Sequence, residues 1–265
     1  MDKATHILIE RIKDMLLTAE YRQQVSSTNF LDLNQLSVVS GVIKTSSVKY
    51  FYYGGYPLAE RKCLILLPPY RDSDDIDDEV WQRNFGTSDD NPLTTILITH
   101  EAKFQTKPLT HRDYLGALIN LGIDRQVIGD IIVENDSAYV FVVKHIATFI
   151  LESLIKVNRY NVHTEIADIE DIDVTEPAFK IVTGTVQSIR IDSMLTCAFH
   201  LSRTASTEYI ASGKVFKNNL LIIKNNTSLV TGDLITLRGL GRCKLTSIGT
   251  QTKKNRYHVT FHVYQ

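Results

Sequence analysis

Several features that mark other protein classes are scarce in this chain of 265 residues. Its three cysteines, Cys63, Cys197 and Cys243, are far apart and form no CxxC pair, so neither a zinc site nor a disulfide framework is expected. We expect reduced thiols in a cytoplasmic protein. No apolar run approaches the roughly 20 residues that span a bilayer, and charges interrupt the first apolar segment. The sequence therefore predicts neither a membrane span nor a signal peptide.

Catalytic signatures are also missing. No glycine-rich loop follows a strand in the way that nucleotide binding requires, and no ligand set for a metal or cofactor stands out. His111-Arg112-Asp113 matches the start of a kinase catalytic loop, but Leu118 occupies the position where that loop needs asparagine. We interpret this stretch as the first turn of a helix capped by Thr110, although Arg112 could contact RNA. We expect no enzyme, no cofactor and no small-molecule substrate.

The near-zero net charge of −1 hides an uneven distribution. Residues 1–180 hold 18 basic and 27 acidic residues, a balance of −9, whereas residues 181–265 hold 11 basic and 3 acidic residues, a balance of +8. Two acidic stretches, around residues 71–90 and 168–177, read as surface connections. An asymmetry of this size indicates separate tasks for the two parts and a polyanionic partner for the basic one.

Alternating helix and strand patterns predict an α+β protein of three small domains, at 1–75, 91–167 and 181–265. The middle segment follows the order βαββαβ, which is the RRM-like or ferredoxin-like arrangement of a four-stranded sheet with two helices on one face. Its second helix is expected over Lys144–Val157. In the first segment, the aromatic run Tyr50–Tyr56 could stack on bases or serve as core, and core is the stronger interpretation.

The basic part carries the candidate binding residues. Two short helices are expected at Ile191–Phe199 and from Ser202 to Gly213, with Ser202 as the cap of the second. If these helices pack side by side, the cations near their ends converge on one surface that suits a phosphate backbone. Arginine and lysine side chains around Gly239 and Gly241 could add to it. The RNA-binding candidates are Arg190, Ser202, Arg203, Lys214, Lys217, Arg238, Arg242 and Lys244.

This pattern resembles the alpha-L RNA-binding motif, the domain named after small-subunit ribosomal protein S-four. The matching stretches are, in order, Arg190-Ile191-Asp192, Leu201-Ser202-Arg203, Gly213-Lys214-Val215 and Gly232-Asp233. The usual turn is altered to Asn218-Asn219, and it should survive because asparagine tolerates the left-handed conformation. The arginine–aspartate element also resembles that of pseudouridine synthases, whose aspartate is a nucleophile. Only 73 residues follow Asp192, so we interpret it as structural.

Over nearly its full length the chain resembles the bacterial YlmH family. The resemblance is carried by Phe51-Tyr52-Tyr53-Gly54-Gly55 with Ala59-Glu60-Arg61, by Leu109–Leu118 with Gly129-Asp130-Ile131, and by the C-terminal motif. It implies three domains and a part in ribosome-associated quality control. Proteins of this kind bind the large ribosomal subunit that still holds peptidyl-tRNA, and they steady the tRNA while a tailing factor adds C-terminal alanines.

The implied partners are therefore large-subunit ribosomal RNA, peptidyl-tRNA and the tailing factor, with the protein monomeric off the ribosome. The middle segment lacks the aromatic submotifs of a true RRM, so base stacking on its sheet is not expected. Two alternatives stay open at this point. The same RNA-binding module could target an enzyme that modifies rRNA or tRNA, or it could belong to a ribosome assembly factor or RNA chaperone.

Overall fold

The computed structural model describes residues 3–22, 24–44, 46–57, 59–69, 84–100, 108–134, 136–168 and 178–264. Helices and three separate sheets confirm the α+β class. The chain divides into two compact units, Met1–Val174 and Thr175–Gln265, called here the acidic unit and the basic unit. Most of the two acidic connections, 71–83 and 169–177, lies outside the described residues.

The acidic unit begins with two helices over a small sheet. Helix α1 is Lys3–Arg22 and α2 is Leu33–Ile43, while β1 (Ser26–Ser27), β2 (Tyr50–Tyr53) and β3 (Cys63–Leu66) pair in the order β1-β3-β2. A capping box starts α2: the Asp32 carboxylate accepts from the Gln35 backbone N–H, and the Gln35 side-chain oxygen accepts from the Asp32 backbone N–H. The helix continues past Gly41 and ends at Ile43.

The aromatic run proves to be mainly core. Phe51 and Tyr53 are 3% and 5% exposed, respectively, while Tyr50 and Tyr52 on the opposite face of β2 are half-buried. The Tyr52 hydroxyl lies 2.7 Å from that of Ser40 on α2. Strand alternation therefore decides between the two interpretations of these side chains, in favour of packing.

A ferredoxin-like sheet follows, as expected. Its strands are β4 (Leu93–His100), β5 (Ile128–Glu134), β6 (Ser137–Val143), β7 (Lys156–Val157) and β8 (Tyr160–Ala167), with helices α3 (His111–Asn120) and α4 (Lys144–Ser153). The antiparallel order β5-β6-β4-β8-β7 contains the expected four strands. The prediction that the second helix reaches Val157 is wrong. It ends at Ser153, and Lys156–Val157 instead forms a fifth short strand beside β8.

The first two predicted segments share one compact unit and one core. Arg61 donates to the carbonyl oxygens of Phe30, Arg125 and Ile128 at 3.1–3.3 Å. In return, the Asp130 carboxylate accepts from the Tyr56 hydroxyl at 2.9 Å and from the backbone of Glu60 and Arg61. We call these contacts the Arg61–Asp130 clamp. The boundary between predicted domains 1–75 and 91–167 stays a prediction.

Burial lowers the pKa of two arginines at this clamp. It lowers the pKa of Arg61, and it lowers the pKa of Arg125 to about 10, with the nearby charge of Arg61 adding to the effect. Both guanidinium groups nevertheless stay charged at neutral pH. Arg125 donates to the carbonyls of Ile128 and Gly129. The guanidinium groups of Arg61 and Arg125 therefore both bind backbone carbonyl oxygens at the start of β5.

The basic unit places two helices on one face of a six-stranded sheet. The helices are α5 (Ile191–Ala198) and α6 (Arg203–Ala211). The strands are β9 (Phe179–Val186), β10 (Val215–Lys217), β11 (Leu220–Leu221), β12 (Leu234–Leu237), β13 (Gly241–Gln251) and β14 (Tyr257–Tyr264), in the order β11-β10-β12-β13-β14-β9. The long strand β13 was not predicted. The segment after Gly241 is part of the sheet rather than bare backbone facing RNA.

The three cysteines are free thiols. Burial raises the pKa of Cys63 well above its usual range and that of Cys243 to about 12. Among the described residues, no helix is long and apolar enough to cross a membrane. That part of the chain also contains no group of three or more histidine, cysteine or acidic side chains placed to hold a metal ion.

Candidate nucleic-acid interface

The loops around α6 adopt the conformations that the motif requires. Ser202 caps the helix by accepting from the Ala205 backbone at 3.1 Å, as predicted. Gly213 ends it with φ of +67°. Asn218 and Asn219 have φ of +49° and +67°, which confirms that asparagine preserves the altered turn. The Ser202 oxygen is thus used within the fold, and its predicted contact with RNA stays a prediction.

Arg190 is engaged by a carboxylate. It is the N-cap residue of α5, and its guanidinium donates to both oxygens of Asp192, at 2.7 and 3.2 Å. Asp192 also accepts from the Ser193 backbone and is 4% exposed. The structural interpretation of Asp192 agrees with this geometry. The Arg190 side chain is 43% exposed, so only part of it faces solvent.

Lys217 is engaged more completely. Its ammonium group lies 2.9 Å from the Asp233 carboxylate, donates to the Ser228 carbonyl, and is 24% exposed. Asp233 is 4% exposed and also accepts from Asn218 and from the Val230 backbone. A buried carboxylate with this many donors organises a turn. The geometry of Lys217 is therefore that of a residue stabilising the fold.

The remaining helix cations are exposed but separated. Arg203 begins α6, whereas Lys214 follows its end, where its ammonium lies 5.7 Å from the centre of the Tyr209 ring. A nine-residue helix is about 13 Å long, so the two charges occupy opposite ends of it. The convergence of the four cations on one RNA-binding surface stays a prediction. The backbone of Arg190 forms a bridge with Ser228, whose carbonyl accepts from the Lys217 ammonium, while Arg203 and Lys214 lie at the two ends of α6.

The other three predicted cations share the sheet face opposite the helices. Alternate residues of the strands point inward and are buried with α5 and α6, among them Ile235, Leu237, Cys243, Leu245 and Phe261. The intervening residues point outward. Because residues paired across antiparallel strands project to the same side, Arg242 opposite Thr236 and Lys244 opposite Leu234 lie on one surface. We call this surface the open sheet face.

Aromatic rings hold these cations in place. The Arg238 guanidinium lies 5.1 Å from the centre of the Phe216 ring, and that of Arg242 lies 6.0 Å from the centre of Tyr264. On the same face His262 stacks on Phe179 with ring centres 3.9 Å apart. The three acidic residues of segment 181–265 lie elsewhere, on α5, on α6 and in the turn before β12. Among the described residues of the basic unit, this face therefore combines cations with the half-buried rings of Phe179, His262 and Tyr264 and carries no acidic side chain, whereas the Phe216 ring is fully buried.

On the sheet of the acidic unit, the part around Phe141 of the face that an RRM would use for stacking bases is covered by the chain itself. Tyr56 stacks on Phe141 with ring centres 5.1 Å apart, and a Cβ on Gly55 would approach Phe141 to 2.3 Å. Gly55 therefore has to lack a side chain, and Phe141 is fully buried. A segment of the same unit therefore occupies the site around Phe141, and the expectation of no base stacking on this sheet stays a prediction.

Comparison with known proteins identifies the family of this chain. Residues 87–171 match the family described as "Putative RNA-binding domain in YlmH". Over 247 residues the chain is 31% identical to ribosome-associated protein quality control protein P2 of Bacillus subtilis, covering 93% of this chain and 89% of the relative. A solved structure of cell division protein YlmH from Streptococcus pneumoniae is 22% identical, with a TM-score of 0.47 over 65% of this chain and 97% of that one. The identity and near-complete coverage of the Bacillus relative settle the family, and the chain belongs to the YlmH family.

Proposed function

We propose that this chain is a non-enzymatic, cytoplasmic RNA-binding protein that acts in ribosome-associated quality control. In this role it docks on the large ribosomal subunit carrying peptidyl-tRNA, and it steadies the tRNA while a separate factor adds C-terminal alanines to the stalled chain. The name of the Bacillus relative supports the ribosome-associated part, and the match to the RNA-binding domain family supports the RNA-binding part.

The open sheet face is the observation that carries the proposal. It collects Arg238, Arg242 and Lys244 beside aromatic rings, in a segment whose charge balance is +8. Each phosphate contact made by such a cation releases counterions that were condensed on the RNA, which gives binding without base-specific chemistry. Arg203 and Lys214, at the two ends of α6, are further exposed cations on the helix side of the sheet. This arrangement fits docking on structured RNA by shape and charge.

Cosedimentation tests the proposal. The protein should migrate with large ribosomal subunits at moderate salt, and Arg238→Glu combined with Lys244→Glu should release it. Reversing two exposed cations of the acidic unit, Arg11→Glu and Lys144→Glu, is the matched control and should leave it bound. Migration with free RNA alone would contradict ribosomal docking. Arg203→Glu with Lys214→Glu asks separately whether the ends of α6 take part.

The non-enzymatic part has its own test. Ribosomal and transfer RNA from a deletion strain should carry every modification found in the parent strain, as measured by mass mapping of nuclease fragments. One modification that disappears on deletion, and returns with the intact gene, would show that the RNA-binding module targets an enzyme.

A further inference from the structure

A groove on the acidic unit has no role in the function proposed above. It has a volume of about 460 Å³ and lies between one face of α3 and the segment Ser153–Asn158. Arg112 and Lys156 stand on opposite walls, with Asn120 and Asn158 nearby. A volume of this order suits one small ligand of nucleotide size.

The cations of the groove are available to a ligand. Arg112 and Lys156 are both exposed, and neither forms an ion pair with any residue in the described part of the chain. The one carboxylate in the lining belongs to Asp113, which accepts from the Thr110 backbone at 2.8 Å and from its hydroxyl at 2.7 Å. This capping role ties the negative charge to the start of α3. The other Asp113 oxygen accepts from the Asn158 side chain across the groove at 3.5 Å. The groove is left with two cations that have no ion-pair partner in the described part of the chain and with the Asn120 amide, which suit a phosphate group.

Gly116 supplies an independent observation. It lies within α3, where glycine costs about 1 kcal/mol of helix stability relative to alanine, and it forms part of the groove. A Cβ added at this glycine would meet no atom within 4 Å. The fold therefore does not require a glycine here, unlike at Gly55. A bare helix surface at this point leaves room for a ligand to approach the backbone closely.

Apolar surface completes the groove. Ile155 is 68% exposed on the wall opposite α3, and Ala117 lies beside Gly116. A flat base or ribose could cover this surface while its phosphate reaches the cations. The sheet face that an RRM would use is occupied around Phe141 by Tyr56, so a nucleotide bound to this unit needs a different surface.

We propose that this groove binds one nucleotide of single-stranded RNA, with its phosphate between Arg112 and Lys156 and its base or sugar over Gly116 and Ile155. The inference rests on the RNA-binding function proposed above and adds a second contact site, in the unit whose overall charge is negative.

Photocrosslinking of the full-length protein to a thiouridine-substituted oligouridine tests this site, with the attachment points mapped by mass spectrometry. Crosslinks should appear on peptides from α3 or Ser153–Asn158 as well as on the basic unit. Gly116→Leu, which fills the groove, and the pair Arg112→Gln with Lys156→Gln should each reduce the groove crosslinks about tenfold. Those on the basic unit should stay unchanged.

Gly41 provides the matched control. It also lies within a helix of the acidic unit, at an exposed position of α2, and a Cβ there would likewise meet no atom within 4 Å. Gly41→Leu should leave the groove crosslinks intact. An equal loss in both leucine variants would overturn the proposal, because it would reflect a general effect of the substitution on the unit.

Other outcomes separate the two proposals. Crosslinks confined to the basic unit would refute the groove and leave the proposed function standing, whereas no crosslinks to either unit would count against both. Crosslinks at Leu97 or Tyr139 would place RNA on the sheet face and overturn the groove site. If uridine monophosphate protects the groove as well as the oligonucleotide does at equal concentration, the ligand is a free nucleotide rather than RNA.

Discussion

The two large sheets of this protein use similar elements in opposite ways. The sheet of the acidic unit carries helices α3 and α4 on one face and is closed around Phe141 on the other by Tyr56. The sheet of the basic unit carries helices on one face and leaves Arg242, Lys244 and His262 on the other. A sheet face becomes a binding surface only where the rest of the chain leaves it uncovered. Two sheets that each carry helices on one face can therefore differ in whether the other face is available to a ligand.

Removing charge from the open sheet face should give the largest effect. Changing Arg238, Arg242 and Lys244 together to glutamine should weaken binding to RNA about a hundredfold near 0.1 M salt, and should reduce the slope of log affinity against log salt by about two. Fluorescence anisotropy across a salt series measures both quantities. The control changes three exposed cations of the acidic unit, Arg11, Arg22 and Lys144, to glutamine. An equal loss per charge in both variants would mean that position on the sheet does not matter.

Breaking the Arg61–Asp130 clamp should destabilise one unit alone. Arg61→Ala removes one guanidinium donor from the carbonyls of Phe30, Arg125 and Ile128, and it removes the cation beside the Asp130 carboxylate. The Ile128 carbonyl keeps Arg125 as a donor, and we expect a loss of about 3 kcal/mol in unfolding free energy. Calorimetry should show the transition of the acidic unit moving down by roughly 6–12 °C. The transition of the basic unit should stay in place. A common shift of both transitions would show that the two units unfold together.

Two lysines of the basic unit should separate stability from binding. Lys217→Met removes the partner of the buried Asp233 carboxylate and should cost about 2 kcal/mol of stability while changing RNA affinity less than threefold. Lys214→Met should instead weaken RNA binding more than threefold and leave stability nearly unchanged, because its ammonium is exposed and has no carboxylate partner in the described part of the chain. Urea denaturation and anisotropy on both variants provide the comparison. If Lys217→Met weakens binding in a protein that is as stable as the parent, the ammonium contacts RNA directly.

Thiol reactivity should give the smallest difference. At pH 8, alkylation should label the half-buried Cys197 first, since burial both hides Cys63 and Cys243 and raises their pKa. Their raised pKa values contribute stability below the ordinary value of 9.0, and this contribution is lost as the pH rises above it. Arg61→Ala should speed labelling of Cys63 without affecting Cys243, as followed by mass spectrometry. Faster labelling of Cys243 in that variant would contradict separate opening of the units.

Local patterns in the sequence were enough to predict much of this fold. Ser202 caps α6 because its oxygen accepts from the Ala205 backbone, and Thr110 precedes α3, where Asp113 accepts from its backbone and hydroxyl. The order of strands in the ferredoxin-like sheet follows from the βαββαβ pattern. Helix ends were harder, since Lys156–Val157 leaves the helical pattern only to pair with β8.

Contacts between distant residues could not be predicted in the same way. The Asp233 carboxylate that engages Lys217 lies sixteen residues further along the chain, and Asp130 lies 69 and 70 residues from the backbone groups that it binds. Both pairs of contacts depend on tertiary folding. The family stretches that contain Arg61 and Asp130 did mark these positions, but they did not indicate that the two stretches meet. For the same reason, Gly116 could be recognised as unexplained by packing only once its surroundings were known.

The pairing of β9 with β14 has a consequence for synthesis. Phe179 pairs with Tyr264 and Val186 with Tyr257, and β9 is the edge strand whose one neighbour in the sheet is β14. At a translation rate of about 5–20 residues per second, the ribosome needs roughly 4–17 s to make the residues between Phe179 and Tyr264. During that interval β9 has no partner strand, so the basic unit completes its sheet late. A nascent copy would therefore complete the open sheet face only after the residues of β14 have left the exit tunnel.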